Sequence, residues 1–227
     1  MRQSWQDYRE TAERGPMAIA VKVILAVFVL SSLMGMSAIA ETSVAYYVDS
    51  RSFNSATVQA STGGLPLGIS AWGFVDLHGN KNSRADASRM FVESRLIRTV
   101  WRNASMHVEY NDAHGIGNSM LRYGIAFNPR FAFHTRPGWL LVRFSPYETD
   151  GSGQQVTIAW SVPLLTRVAL GGFSDWNIQS HGRNKWVIEP EIAFGLNERI
   201  TLVIEPRYNG FQKAERFGMA FGSKVQF

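Results

Sequence analysis

Phe217-Gly-Met-Ala-Phe-Gly-Ser-Lys-Val-Gln-Phe227 places Phe217, Met219, Phe221, Val225 and Phe227 at odd positions, with Gly218, Ala220, Gly222, Lys224 and Gln226 at even ones. A period of two marks a strand with one apolar face and one polar or small face. Working back along the chain, Ile200, Leu202, Ile204 and Tyr208 alternate with Thr201, Glu205 and Arg207. Trp186, Ile188, Ile192 and Phe194 alternate with Glu189 and Glu191. The pattern continues upstream through 155–161, 140–144, 121–125 and 106–110, and no segment beyond residue 41 carries a helical stripe. Polar loops at 78–86, 111–117, 147–153 and 177–184 interleave with tighter connections near 101–103, 128–130, 163–166 and 196–198.

An exported soluble β-sandwich also alternates one apolar and one polar face, and is the competing reading. Here large aromatic and aliphatic residues recur on one face strand after strand, and long and short connections alternate as they do in outer-membrane barrels. A last strand that alternates and stops on a terminal Phe resembles the assembly signal of such barrels, which makes the barrel-assembly machinery an expected partner. Strands are clear from about residue 68 onward and number ten, and 43–49 and 55–60 supply two more through the connection at 63–68. Both counts are even, as single-chain bacterial barrels require. The expected fold is all-β: a transmembrane antiparallel up-and-down β-barrel of twelve strands, with ten as the alternative.

The chain has 227 residues, no cysteine, and 23 Lys+Arg against 18 Asp+Glu for a formal charge of +5. Without cysteine there are no disulfides, thiolate metal sites or cysteine nucleophiles. The bases are scattered singly rather than gathered in a run or on a helix, which argues against a nucleic-acid polymer as partner. No cofactor or metal is expected. The longest apolar run, 23–30, follows Lys22 and leads to Ala38-Ile-Ala40, the n-region, h-region and Ala-x-Ala order of a cleaved signal peptide over 1–40. A membrane-anchoring helix is the alternative, because a span needs about 20 apolar residues and this stretch nearly reaches that length. The balanced charges of residues 1–16 are unusual ahead of a signal, so Met17 is an alternative start. Residues 41–227 then form the barrel, in the bacterial outer membrane and in contact with its lipid.

Trp72-Gly-Phe-Val-Asp-Leu-His-Gly79, Met106-His-Val-Glu-Tyr-Asn111, Gly172-Phe-Ser-Asp-Trp176 and the pair Ile188-Glu-Pro-Glu191 and Ile204-Glu-Pro-Arg207 together resemble the Tsx-like family of nucleoside-specific channel-forming outer-membrane proteins, in a short form. The resemblance spans most of 43–227 in the order and spacing of strands. It implies a monomeric twelve-stranded barrel with a narrow lumen where aromatic and ionisable groups bind nucleosides. This chain has shorter loops and fewer paired aromatics than the characterised channels.

If the apolar face meets lipid, the opposite face lines the lumen, because Arg or Lys at the lipid midplane costs about 2 to 4 kcal/mol. The lumen set is Trp72, Phe74 and Asp76; Phe91, Glu93 and Arg95; His107 and Glu109; Arg122; Trp139 and Arg143; Phe173 and Asp175; then Glu189, Glu191, Glu205, Arg207 and Lys224. Acids and bases are mixed, so no single ion sign is selected. Such charges can pair across the lumen and plug it whether or not a solute passes. A binding site needs aromatic faces beside hydrogen-bonding groups, and Trp72, Phe74 and Phe91 beside Asp76, Glu93 and Arg95 supply that combination best. The expected function is passive uptake of small polar solutes, nucleosides first, by a channel rather than an enzyme. The alternatives are a barrel enzyme, a lipid or peptide hydrolase built on one of His78, His107, His114, His134 and His181, and a plugged structural or adhesive barrel. No Gly-x-Ser-x-Gly or His-Glu-x-x-His motif accompanies those histidines.

Overall fold

The computed structural model describes residues 40–227 apart from 81–82, 115–118, 134–135 and 150–152. The signal-peptide segment therefore lies outside the described residues. The strands are β1 (Ala40–Asp49), β2 (Phe53–Leu65), β3 (Ile69–Asn80), β4 (Ser83–Trp101), β5 (Ala104–His114), β6 (Met120–Phe127), β7 (Arg130–Phe133), β8 (Arg136–Glu148), β9 (Gly153–Leu165), β10 (Val168–Gln179), β11 (Lys185–Gly195), β12 (Ile200–Asn209) and β13 (Phe217–Gln226). Every neighbouring pair is antiparallel. β1 pairs with both β2 and β13, and β6 pairs with both β5 and β8, so the sheet closes on itself.

Among the described residues the ring has twelve staves, because β6 and β7 are two parts of one strand. Phe127 faces Val142 on β8 and Arg130 faces Trp139, an unbroken register across Asn128 and Pro129. Pro129 has no N–H to give the ladder, and the Asn128 N–H turns to the Asn103 carbonyl at 2.8 Å. The turn expected at 128–130 is thus only an interruption, and pairing with β8 continues to Phe133 opposite Arg136. The polar segment 78–86, expected to be a loop, is mostly strand: β3 runs to Asn80 and β4 starts at Ser83. Polar residues at a barrel mouth can pair in the ladder while both faces meet water, so polarity alone misplaces the loop there.

The alternation sorts the two faces. Val44, Tyr46 and Val48 of β1, Met106 and Val108 of β5, Tyr123, Ile125 and Phe127 of β6, and Phe217 and Phe221 of β13 are exposed on the outside, while Ser43, Tyr47, Asp49, Glu109, Arg143 and Arg207 are buried inside. An apolar belt of this extent is untenable in water and natural in lipid. Chain closure leaves no unpaired edge in the hydrocarbon, which fixes the fold as a transmembrane barrel. On β13 the small inward residues have a packing reason. A Cβ on Gly222 would collide with the Tyr47 ring and the Tyr46 carbonyl, and one on Gly218 would collide with the Arg51–Asp49 pair.

Candidate functional site

Cross-strand register builds the first part of the lumen. Arg95 on β4 faces Glu109 on β5, Glu109 faces Arg122 on β6, and Arg122 faces Glu148 on β8, a row of alternating sign across four neighbouring strands. Glu109 is its centre, with 1% of its surface exposed. Arg95 Nε donates to Glu109 Oε2 at 2.7 Å and Arg143 Nη1 donates to the same oxygen at 2.5 Å, while Arg122 Nη1 and Asn111 Nδ2 donate to Oε1 at 3.0 and 3.1 Å. Arg122 Nε donates to Glu148 Oε1 at 2.5 Å, and Arg95 also pairs with Glu93. Three carboxylates thus neutralise three guanidinium groups. An ion taken from water without a partner costs several kcal/mol, so the balance is what allows these charges to be buried together. Arg143 Nη2 extends the network to Thr157 Oγ1 at 3.2 Å, and Thr157 donates to Asp175 at 2.5 Å.

A second ionic group lies on the other side of the ring. Asp49 accepts from Arg51 Nη2 at 2.7 Å and from Arg207 Nη1 at 3.5 Å, and Arg207 pairs with Glu205 along its own strand. The Arg207 guanidinium stands over the Tyr47 ring, 4.9 Å from its centre. Between the two groups runs an aromatic ridge on β3 and β4. Trp72 meets Phe74 edge-on at 5.3 Å and Phe74 meets Phe91 at 5.7 Å, and the Arg95 guanidinium lies 4.4 Å over Trp72. The ridge is half-buried, whereas Glu109, Arg143, His107 and Glu148 are almost fully buried. The Glu109 network therefore packs its side of the lumen, whereas the ridge and the inward residues Phe173, Asp175, Glu189 and Glu191 of β10 and β11 are half-buried.

The structure brings Glu93, Arg95, His107, Glu109, Arg122 and Arg143 into one cluster and Trp72, Phe74 and Phe91 into one ridge beside it. Asp76 accepts from Thr57 Oγ1 at 2.5 Å and faces Phe91 across the β3–β4 pair. Asp175, Glu189, Glu191, Glu205 and Arg207 share the inward parity on β10 to β12, where Phe173 faces Glu189. Lys224 is inward on β13, and Trp139 shares the Arg143 face but is 46% exposed at the far end of β8. Among the described residues these mixed charges are sorted: Arg95, Arg122, Arg143 and Arg207 sit in ion pairs, while Asp76 and Asp175 accept from threonine hydroxyls and, like Glu189 and Glu191, make no ion pair. Tyr47, Asp49 and Arg51 were missed although β1 alternates as clearly as β13. Glu148 was missed for a different reason: a bulge at Ser145–Pro146 shifts the register, so odd residues before it and an even one after it both face inward.

Of the histidines, His107 is 2% exposed and its Nε2 lies 3.1 Å from Ser145 Oγ, which is also buried. Its Nδ1 has no hydrogen-bond partner among the described residues, and the nearby Glu109 is committed to three arginines. His78 packs edge-on against Phe53, and His181 is exposed in the β10–β11 loop. The side chains of His114 and His134 lie outside the described residues. Among the described residues no group of three or more carboxylates and imidazoles is placed to hold a metal ion.

No family model and no curated protein matches the chain. Solved structures do. A KdgM porin in complex with disordered oligogalacturonate aligns over 82% of this chain and 99% of its own with a TM-score of 0.55 at 10% identity. A second KdgM porin structure aligns over the same shares at 0.54 and 10%. At this identity the likeness is one of fold. It agrees with the porin-like architecture that the Tsx-like resemblance implies and carries neither that family nor its nucleoside.

Proposed function

We propose that this barrel is an outer-membrane channel for passive uptake of small polar solutes, nucleosides first among them. The observation that carries the proposal is the Trp72–Phe74–Phe91 ridge, half-buried in an otherwise ionic lumen and flanked by Asp76, Glu93 and Arg95. A base or sugar ring stacks on an aromatic face while its polar edge is hydrogen-bonded alongside. Conduction also requires that binding be weak enough to release the solute, and a ridge on one wall offers contact on one side only.

The oligogalacturonate of the KdgM porin is an acidic oligomer, and such a ligand asks for free cations. Here Arg95, Arg122, Arg143 and Arg207 are each held by carboxylates, which favours neutral solutes over uronates. A hydrolase reading has one observation behind it, the His107–Ser145 contact, but both residues are buried and, among the described residues, no carboxylate accepts from Nδ1 to orient the ring.

Planar-bilayer conductance with nucleosides as current blockers tests the proposal. Phe74→Ala or Phe91→Ala should lose block at low solute concentration with open-pore conductance kept or raised. His107→Ala should leave flux nearly unchanged, whereas it would abolish a hydrolase. Folded barrel that neither conducts nor admits nucleosides into liposomes faster than empty vesicles refutes the channel.

A further inference from the structure

The charges of the lumen are not merely mixed; they are sorted. Around the Glu109 cluster three acids meet three arginines and cancel. Along the remaining arc, from β10 through β13 to β3, the inward acids are Asp49, Asp76, Asp175, Glu189, Glu191 and Glu205, while the inward bases are Arg51, Arg207 and Lys224. Arg51 and Arg207 are both spent on Asp49 and Glu205. Asp76, Asp175, Glu189 and Glu191 have no ion pair among the described residues, and Lys224 and Arg207 are the bases within electrostatic reach of Glu191. Arg89 and Lys185 share the inward parity only at strand ends, and Lys185 is turned onto the Phe211 ring at 4.5 Å.

A second and independent observation says what this arc suits. Three times in this lumen a guanidinium is already held between a carboxylate and an aromatic face: Arg95 between Glu93 and Trp72, Arg207 between Glu205 and Tyr47, and Arg51 between Asp49 and Phe53. The same pairing of carboxylate with ring recurs in the strand register with no arginine in ion-pair contact among the described residues, at Asp76 opposite Phe91 and at Glu189 opposite Phe173. These two pairs are on different walls, and Asp76 lies within electrostatic reach of Glu189. A ring face and a carboxylate together form a receptor for an organic cation, because the quadrupole and the charge attract the same ligand.

We infer that the lumen discriminates by charge, admitting small organic cations such as protonated amines over anions of equal size, with the Asp76–Phe91 and Glu189–Phe173 pairs as the contact points. This rests on the channel reading and refines its solute class: neutral nucleosides pass, aminated ring solutes pass better, and phosphorylated or uronate solutes are held back.

The test is the reversal potential of the full mature barrel in a planar bilayer under a KCl gradient, followed by current block with 2-phenylethylammonium and with 3-phenylpropionate. A K⁺-selective reversal potential is expected, with block by the ammonium stronger by about fivefold, the ratio equivalent to about 1 kcal/mol for one water-screened charge pair. Asp76→Asn combined with Glu189→Gln should move both ratios toward unity. Glu191→Gln alone should lower K⁺ selectivity without removing the preference between the two blockers. A barrel that conducts with no charge preference, or prefers chloride or the carboxylate, overturns the inference and leaves the channel standing. A folded barrel that does not conduct removes the channel, and this inference with it.

Discussion

Replacing Glu109 by Gln should destabilise the barrel more than neutralising any other charged side chain of the lumen. The side chain is isosteric and keeps one acceptor oxygen, so the perturbation is the loss of one negative charge among three arginines. Arg95 keeps Glu93 and Arg122 keeps Glu148, but Arg143 loses its one carboxylate partner among the described residues and retains the Thr157 hydroxyl, at 3.2 Å. Arg143 is 2% exposed and cannot recover water. Breaking a buried pair by removing one partner costs about 3 to 5 kcal/mol. The retained amide oxygen and the two surviving pairs place the expected loss near the lower end, about 3 kcal/mol. Urea unfolding of the barrel in lipid vesicles, followed by tryptophan fluorescence, measures it. Because the cost is attributed to one stranded cation, adding Arg143→Gln to Glu109→Gln should return more than half of the loss, a coupling that a double-mutant cycle reads directly. A single variant within about 1 kcal/mol of the parent, or single-site losses that simply add, would refute the claim that Glu109 is the neutralising centre of this wall.

Three further outcomes are expected. Phe227→Ser should reduce the yield of heat-modifiable folded barrel more than Gln226→Ser, because Phe227 is 75% exposed toward lipid while Gln226 has the inward parity opposite Ser43; equal yields would count against the terminal aromatic as an assembly signal. Gly222→Val should abolish folded barrel, since its branched side chain would have to occupy the space of the Tyr47 ring, and recovery by Tyr47→Ala would show that this clash is the cause. N-terminal sequencing of the mature protein from an outer-membrane fraction should begin at Glu41, whereas an inner-membrane protein retaining residues 1–40 would support the anchor.

The period-two pattern carried most of the architecture, and β13 shows why. In a barrel one face meets lipid and the other meets water or charge, so alternation is enforced along the whole strand, and a terminal stretch such as 217–227 declares both its conformation and its faces. The breaks in that rule were the unreadable parts. Pro129 looks like a turn yet only interrupts a strand, because the hairpin beyond it is set by pairing with β8. Pro146 looks ordinary yet shifts the register that brings Glu148 inward. The candidate residues were legible as a face, but not as groups. That Arg95, Glu109, Arg122 and Glu148 form one row depends on the stagger of four strands, which no single strand reveals. The sorting of charge into a neutral wall and an acidic one has the same origin.

The pairing of β1 with β13 joins the two strands farthest apart in the sequence. Closing a flexible loop of that length costs about 4 to 5 kcal/mol of chain entropy, to be met by one seam of backbone hydrogen bonds and the Tyr47–Gly222 contact. Until 217–226 arrives, β1 offers an unsatisfied edge, and every hairpin built in the meantime extends a curved ribbon with two open sides. Each intermediate is therefore a template for mispairing, and the final stave converts the ribbon into a vessel in one step. The chain is threaded in order, but its topology is decided last.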